Sequence, residues 1–141
     1  MKKIKSIILF VLALWLSQNV IAQGKLTVKV TEIEKVHGRV GLCIYNSKDT
    51  YMYSDKAIVC QWADVMDSTV PFTLDSLAHG AYAIVIFQDL NGNKELDTNF
   101  MGIPKEPYGF SNNPSTRFGP PSFEGASFKV EGNTEIVIAL K

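Results

Sequence analysis

Asp89, Asn91, Asn93 and Asp97 stand at relative positions 1, 3, 5 and 9 of a loop that begins inside QDLNGNKELDTN, residues 88–99. Hard oxygen donors spaced this way along a tightly wound segment converge on one point. An EF-hand-type loop holds Ca²⁺ with those positions and takes a backbone carbonyl at position 7, here Glu95. The set suits Ca²⁺ better than Mg²⁺, which demands stricter octahedral geometry and keeps its water. Two departures stand out: the glycine falls at position 4 (Gly92) rather than 6, and position 12 is Phe100 instead of a bidentate glutamate. Any missing ligands must come from water or from candidates such as Glu106 and Glu124. With only two certain carboxylate ligands, Asp89 and Asp97, affinity is expected at ~10⁻⁴–10⁻³ M, the range of extracellular modules. Asn91-Gly92 is also a strong hairpin-turn signal, but a turn alone leaves Asp89, Asn93 and Asp97 without a purpose.

Catalytic chemistry has less to draw on. His37 and His79, the two histidines, each precede a glycine in a predicted turn, where a solvated imidazole is expected. Ser111, in GFSNN, is no strand-to-helix nucleophile elbow. Glu106 and Glu124 could pair as carboxylates of a glycosidase type, which makes a hydrolase the alternative reading. Tyr108, Phe110, Asn112, Asn113 and Arg117 instead mix aromatic faces with amide and guanidinium donors, a set suited to an envelope carbohydrate or peptide. The competing structural role for these residues is to cap an open end of the fold and satisfy loop backbone. Trp62 and the Tyr51-Met52-Tyr53 run are expected in packing.

The elements that must position these side chains are strands. Period-two alternation runs through KLTVKV (25–30), GRVGLCIYN (38–46), AIVCQWADV (57–65) and STVPFTL (68–74), with turns near Gly38 and Met66-Asp67. AYAIVIF (81–87) is apolar on both faces, as a central strand covered on both sides requires. ASFKV (126–130) and TEIVIAL (134–140) are expected to close the chain as a hairpin across Glu131-Gly132-Asn133. Residues 47–56 allow one helical turn. Seven strands with turn signals between them predict an all-β, seven-stranded antiparallel β-sandwich of the immunoglobulin-like or transthyretin-like kind. Gly80 and Tyr82, at the entry to the central strand, suggest a tyrosine corner.

Between the central strand and the last pair the alternation stops. Residues 89–121 hold five of the six prolines, and a loop of that length in a compact domain is functional or disordered. Phe100, Met101, Ile103, Tyr108, Phe110 and Phe118 argue against disorder, so the loop is expected to be ordered and packed.

Residues 1–22 read as a signal peptide: Lys2, Lys3 and Lys5, an apolar run from Ile7 to Leu16, and small residues before a cut after Ala22. The run is too short for a membrane span. A single domain over 23–141 follows, secreted or periplasmic, with no membrane span after cleavage. Loss of three lysines leaves 11 basic and 14 acidic residues, net −3, which gives no electrostatic reason to bind nucleic acid. Cys43 and Cys60 can bridge if their strands are neighbours, or remain two buried thiols.

The stretch DLNGNKELDTNFMGIPKEPYGFSNN with RFGPPSFEGASF resembles a bacterial secreted family classed as a domain of unknown function. Its pattern, D-x-N-x-N-x-x-x-D-x-N, then G-x-P-x-E-x-Y-G-F-S, then G-P-P-x-F, falls here on Asp89, Asn91, Asn93, Asp97, Asn99, Gly102, Pro104, Glu106, Tyr108, Gly109, Phe110, Ser111, Gly119, Pro120, Pro121 and Phe123. Where family members often have histidine before the first aspartate, this chain has Gln88, which argues against a role for that imidazole. The resemblance implies a small exported sandwich related to transthyretin-like and carboxypeptidase-regulatory-like domains, and implies no activity. Together the residues lead to an exported, non-catalytic binding or accessory module of the cell envelope, steadied by Ca²⁺. A purely structural envelope component is a third reading.

Overall fold

The computed structural model describes residues 23–141; the expected leader, residues 1–22, lies outside them. The chain is nearly all β: β1 (Gln23–Thr31), β2 (Arg39–Tyr45), β3 (Val59–Asp64), β4 (Val70–Ala78), β5 (Gly80–Asp89), β6 (Tyr108–Phe110), β7 (Phe128–Val130) and β8 (Thr134–Ala139). A 3-10 turn at Ser54–Lys56 falls where one helical turn was expected, and a short helix α1 (Phe123–Ala126) precedes β7. All seven expected strands form. The eighth, β6, lies inside the stretch where alternation is absent.

Two sheets result. One has the order β4-β1-β8; the other runs β3-β2-β5-β6, with β7 pairing to the start of β5. Leu26, Val28 and Val30 of β1, Phe72 and Leu74 of β4, and Ile138 of β8 meet Val40, Leu42 and Ile44 of β2 and Ile84 and Ile86 of β5 in one core. These are alternate positions along each strand, so the period of two in the sequence becomes a single apolar face.

The expected closing hairpin does not form. β7 pairs antiparallel with Gly80–Tyr82 of β5, whereas β8 crosses to the other sheet and pairs parallel with β1. The arrangement is therefore not wholly antiparallel. Burial explains the split: Val130 and Ile138 are both fully buried, and each sheet takes one of them into the shared core. At Ala81–Tyr82 the corner is present: Tyr82 donates its hydroxyl to the carbonyl of Ala78 at 2.8 Å.

β5 is covered on both faces, as its composition requires. Opposite the main core, Ala83 joins Tyr45, Tyr51, Phe110 and Ala126 in a second cluster, with Tyr108 and Phe123 packed against it. Cys43 faces Cys60 directly across β2 and β3, and the two form a disulfide. Trp62 packs edge-on to Phe87, ring centroids 5.4 Å apart. No helix among the described residues is long and apolar enough to cross a membrane.

Candidate functional site

The long loop leaves the sheet at Asp89, whose side chain is buried at 1 % exposure. Its Oδ1 accepts the backbone N–H of Gly92 at 2.7 Å and its Oδ2 that of Lys94 at 2.9 Å. Those two bonds wind residues 89–94 around the carboxylate. The winding needs left-handed backbone at Gly92 and Lys94, with φ of 83° and 64°. Asn91 and Asn93 then continue it through their own side-chain oxygens, which accept N–H groups two residues ahead, at Asn93 and Glu95. Both asparagine amides also turn toward Asp97: Asn93 Nδ2 donates to Oδ1 at 3.0 Å, and Asn91 Nδ2 donates to Oδ2. Asp89 thus organises the coil from inside, and Asp97 gathers the two asparagines at its open end.

Glu106 closes the loop. Buried at 6 % exposure, it accepts the N–H of Leu90 through Oε1 and that of Asp97 through Oε2, at 2.8 and 3.0 Å. A single side chain therefore ties the entrance of the coil to its exit. Because both oxygens are used on backbone, Glu106 acts as a clamp and not as half of a catalytic pair. Glu124 lies elsewhere, on α1, 3.9 Å from Lys48; hydrogen bonds from its own backbone and from Ser122, together with that lysine, hold its carboxyl below the usual range. The structure does not bring the two glutamates together. Gly38 supports the site from β2's side, because a Cβ there would overlap the carbonyl oxygen of Asp89.

Gln88 is fully buried at the end of the core. Its Nε2 donates to the carbonyls of Lys35 and His37 at 2.6 and 2.8 Å, pinning the β1–β2 connection beside the coil. His79 accepts the N–H of Gly132 through Nε2 at 3.0 Å. Ser111, also fully buried, accepts the N–H of Ile84 and donates to the carbonyl of Ala126, a structural knot that leaves no nucleophile.

The expected ligand-binding residues divide. Tyr108, Phe110 and Arg117 share a cavity of about 440 Å³. Asn112 instead donates to the carbonyls of Gly125 and Ser127, bracing α1, and Asn113 exchanges two hydrogen bonds with β8 at Val137 and Ala139. The remaining wall of the cavity comes from Met52, Ile103 and Pro104, among others. Nothing in the local sequence ties Met52 to Ile103, fifty-one residues later; only the folded chain does. The packing expected of the loop's large side chains is also partly absent. Phe110 is buried, but Phe100 and Phe118 are 95 % and 96 % exposed, and Met101 and Ile103 are more than half exposed. Both phenylalanines sit on turns that also carry the lining residues Thr98, Gly102, Arg117 and Gly119. A wider and more polar hollow of about 620 Å³ lies apart from these residues, between His79, Lys129 and Glu131.

Among the described residues, no three His, Cys, Asp or Glu side chains group as a metal cluster.

Fold and site together define a two-sheet β domain that carries an aspartate–asparagine coil clamped by one buried glutamate. The chain belongs to the family described as an uncharacterized protein conserved in bacteria (DUF2141), whose model matches residues 28–137. No curated protein and no solved structure matches it.

Proposed function

We propose that this protein is an exported, non-catalytic binding or accessory module of the bacterial envelope whose 89–97 coil is steadied by Ca²⁺. The observation that carries the reading is the convergence of Asn91, Asn93 and Asp97 above an Asp89 whose carboxylate is buried. No lysine or arginine lies within ion-pair distance of either aspartate among the described residues. Burying a carboxylate without a countercharge is costly; here two backbone N–H groups are its partners, and no cationic side chain adds to them. Asp89, Asn91, Asn93 and Asp97 and the carbonyl of Glu95 carry the hard oxygen donors that Ca²⁺ takes; to ligate, the Asn91 and Asn93 amides would turn, because the Nδ2 of each donates to Asp97. When bound, the ion would supply the missing positive charge. The tyrosine corner supports kinship with immunoglobulin-like and transthyretin-like sandwiches. The signal sequence read in residues 1–22 supports export.

The carboxylate hydrolase is the weaker reading, because Glu106 and Glu124 are apart and both oxygens of Glu106 serve the backbone.

Thermal melts in millimolar Ca²⁺ and in chelator test the proposal. Binding to the folded state alone adds ~2.7 kcal/mol at a free concentration of ~100 Kd, a rise of several degrees in Tm for a domain this small. Asp97→Asn is the discriminating variant, since its side chain meets only the two asparagine amides. It should abolish the calcium gain while leaving the melt in chelator little changed. Superimposable curves for the natural sequence in both buffers, with no heat on calcorimetric titration of calcium, would return the coil to a plain turn.

A further inference from the structure

We propose that the cavity between the 98–104 and 116–120 turns takes a monomeric amphiphile: a flexible apolar chain ending in one anionic group, such as a fatty-acid carboxylate. The proposal rests on the binding-module reading and gives it a ligand class.

Size admits such a ligand, since about 440 Å³ lies within the ~300–1,000 Å³ of small-molecule sites. The walls are Met52, Leu96, Ile103, Pro104 and Phe110, with the Tyr108 ring beside Phe110 at a centroid distance of 5.9 Å. Exposed Phe100, Met101 and Phe118 belong to the same two turns as the lining residues Gly102, Arg117 and Gly119, and exposed apolar side chains grouped on a surface mark binding sites.

Charge selects the end group. Arg117 lines the cavity and is its one charged residue. Its guanidinium carbon lies 5.5 Å from the Phe118 ring centroid, a cation–π contact between two exposed side chains. No carboxylate lies within ion-pair distance of it among the described residues. The N–H fork is therefore available for a two-oxygen anion. A cationic ligand would meet no acidic wall.

The same surroundings disfavour the carbohydrate and peptide considered from sequence. Asn112 and Asn113, the amides a sugar would use, are committed to backbone partners. Peptide recognition by strand addition is blocked at Tyr108 of β6, which already exchanges hydrogen bonds with Lys141, at 3.2 and 3.0 Å.

Titration calorimetry of the mature protein with dodecanoate below its micellar concentration tests the proposal, with dodecanol, dodecyltrimethylammonium and maltohexaose as comparisons. Saturable one-to-one binding of dodecanoate is expected, with dodecanol about tenfold weaker, the scale of one charge-assisted pair, and no heat from the cation or the sugar. Arg117→Ala should reduce dodecanoate to the level of dodecanol, and Ile103→Asp should abolish both. Equal binding of acid and alcohol, or an Arg117→Ala protein that binds dodecanoate like the natural one, overturns the proposal. So does binding of maltohexaose alone, or sedimentation with anionic phosphatidylglycerol vesicles without uptake of monomeric dodecanoate. Absence of dodecanoate heat in a protein that still gains Tm with calcium sinks the ligand and spares the coil; dodecanoate binding without any calcium response does the reverse.

Discussion

Glu106 holds Asp97 from beneath: its Oε2 accepts the Asp97 backbone N–H at 3.0 Å while its Oε1 reaches back to Leu90 at 2.8 Å. The residue that closes the coil is therefore seventeen positions beyond the one that opens it. An amide in its place keeps shape but offers one acceptor where two are needed, leaving a partly buried N–H without a partner. Glu106→Gln is expected to destabilise the domain by ~1–3 kcal/mol, visible as a Tm drop of several degrees in chelator. Activity against a hydrolase substrate panel should be absent in both proteins. An unchanged melt would show that the clamp carries no stability.

Much of this architecture was legible because alternation reports burial directly. Leu26, Val28 and Val30 stand on one face in the sequence and meet in the core at 0 % exposure. The two-sided character of β5 likewise anticipates the second cluster behind Ala83. What alternation does not report is the partner of a strand. Val130 and Ile138 have equally good patterns for a hairpin or for two different sheets, and only packing of both into one core decides. β6 escaped notice for another reason: Tyr108–Phe110 is three residues long and follows Gly102, Pro104 and Pro107 with no alternating flank to extend it. Its middle residue is constrained instead, since a Cβ on Gly109 would lie 2.6 Å from the carbonyl oxygen of Ala139.

At the site, spacing singled out Asp89, Asn91, Asn93 and Asp97, and the fold joins them in one hydrogen-bonded coil. The clamp was ambiguous, because a glutamate that ligates, catalyses or accepts backbone N–H looks the same in one dimension. Arg117 and the aromatics were visible as a set, yet Asn112 was not separable from them. Its commitment to Ser127 depends on where α1 lands.

The disulfide ties β2 to the edge strand β3 across a sequence separation of 17. Cross-linking a loop of this size removes unfolded-state entropy worth ~3 kcal/mol. Cys43→Ser with Cys60→Ser should lower stability by about that amount in urea melts. Thiol counting under denaturing, non-reducing conditions should find none in protein from an oxidising compartment. Two free thiols there would contradict the bridge.

Tyr51 offers a test that separates packing from hydrogen bonding. Its ring lies edge-on to Tyr45 and Phe123, at centroid distances of 5.6 and 5.8 Å, while its buried hydroxyl has no hydrogen-bond partner among the described residues. Burial of the hydroxyl, reinforced by neighbouring Tyr45, pushes its pKa up to about 12 from the ordinary 10.0. The folded state thus keeps its proton after the unfolded chain has begun to lose it, so stability falls with rising pH. The contribution is complete below pH 10 and is lost progressively as pH rises through about 12. Tyr45 and Tyr82, both raised by burial, act with the same sign. Tyr51→Phe keeps the ring contacts and removes the orphaned polar group, whose burial costs ~1–3 kcal/mol. The variant should therefore match or exceed the natural protein's stability at neutral pH and lose less of it between pH 10 and 12. A variant markedly less stable at neutral pH would mean that the hydroxyl has a partner, and a Tm profile as steep as the natural one would place the alkaline titration elsewhere.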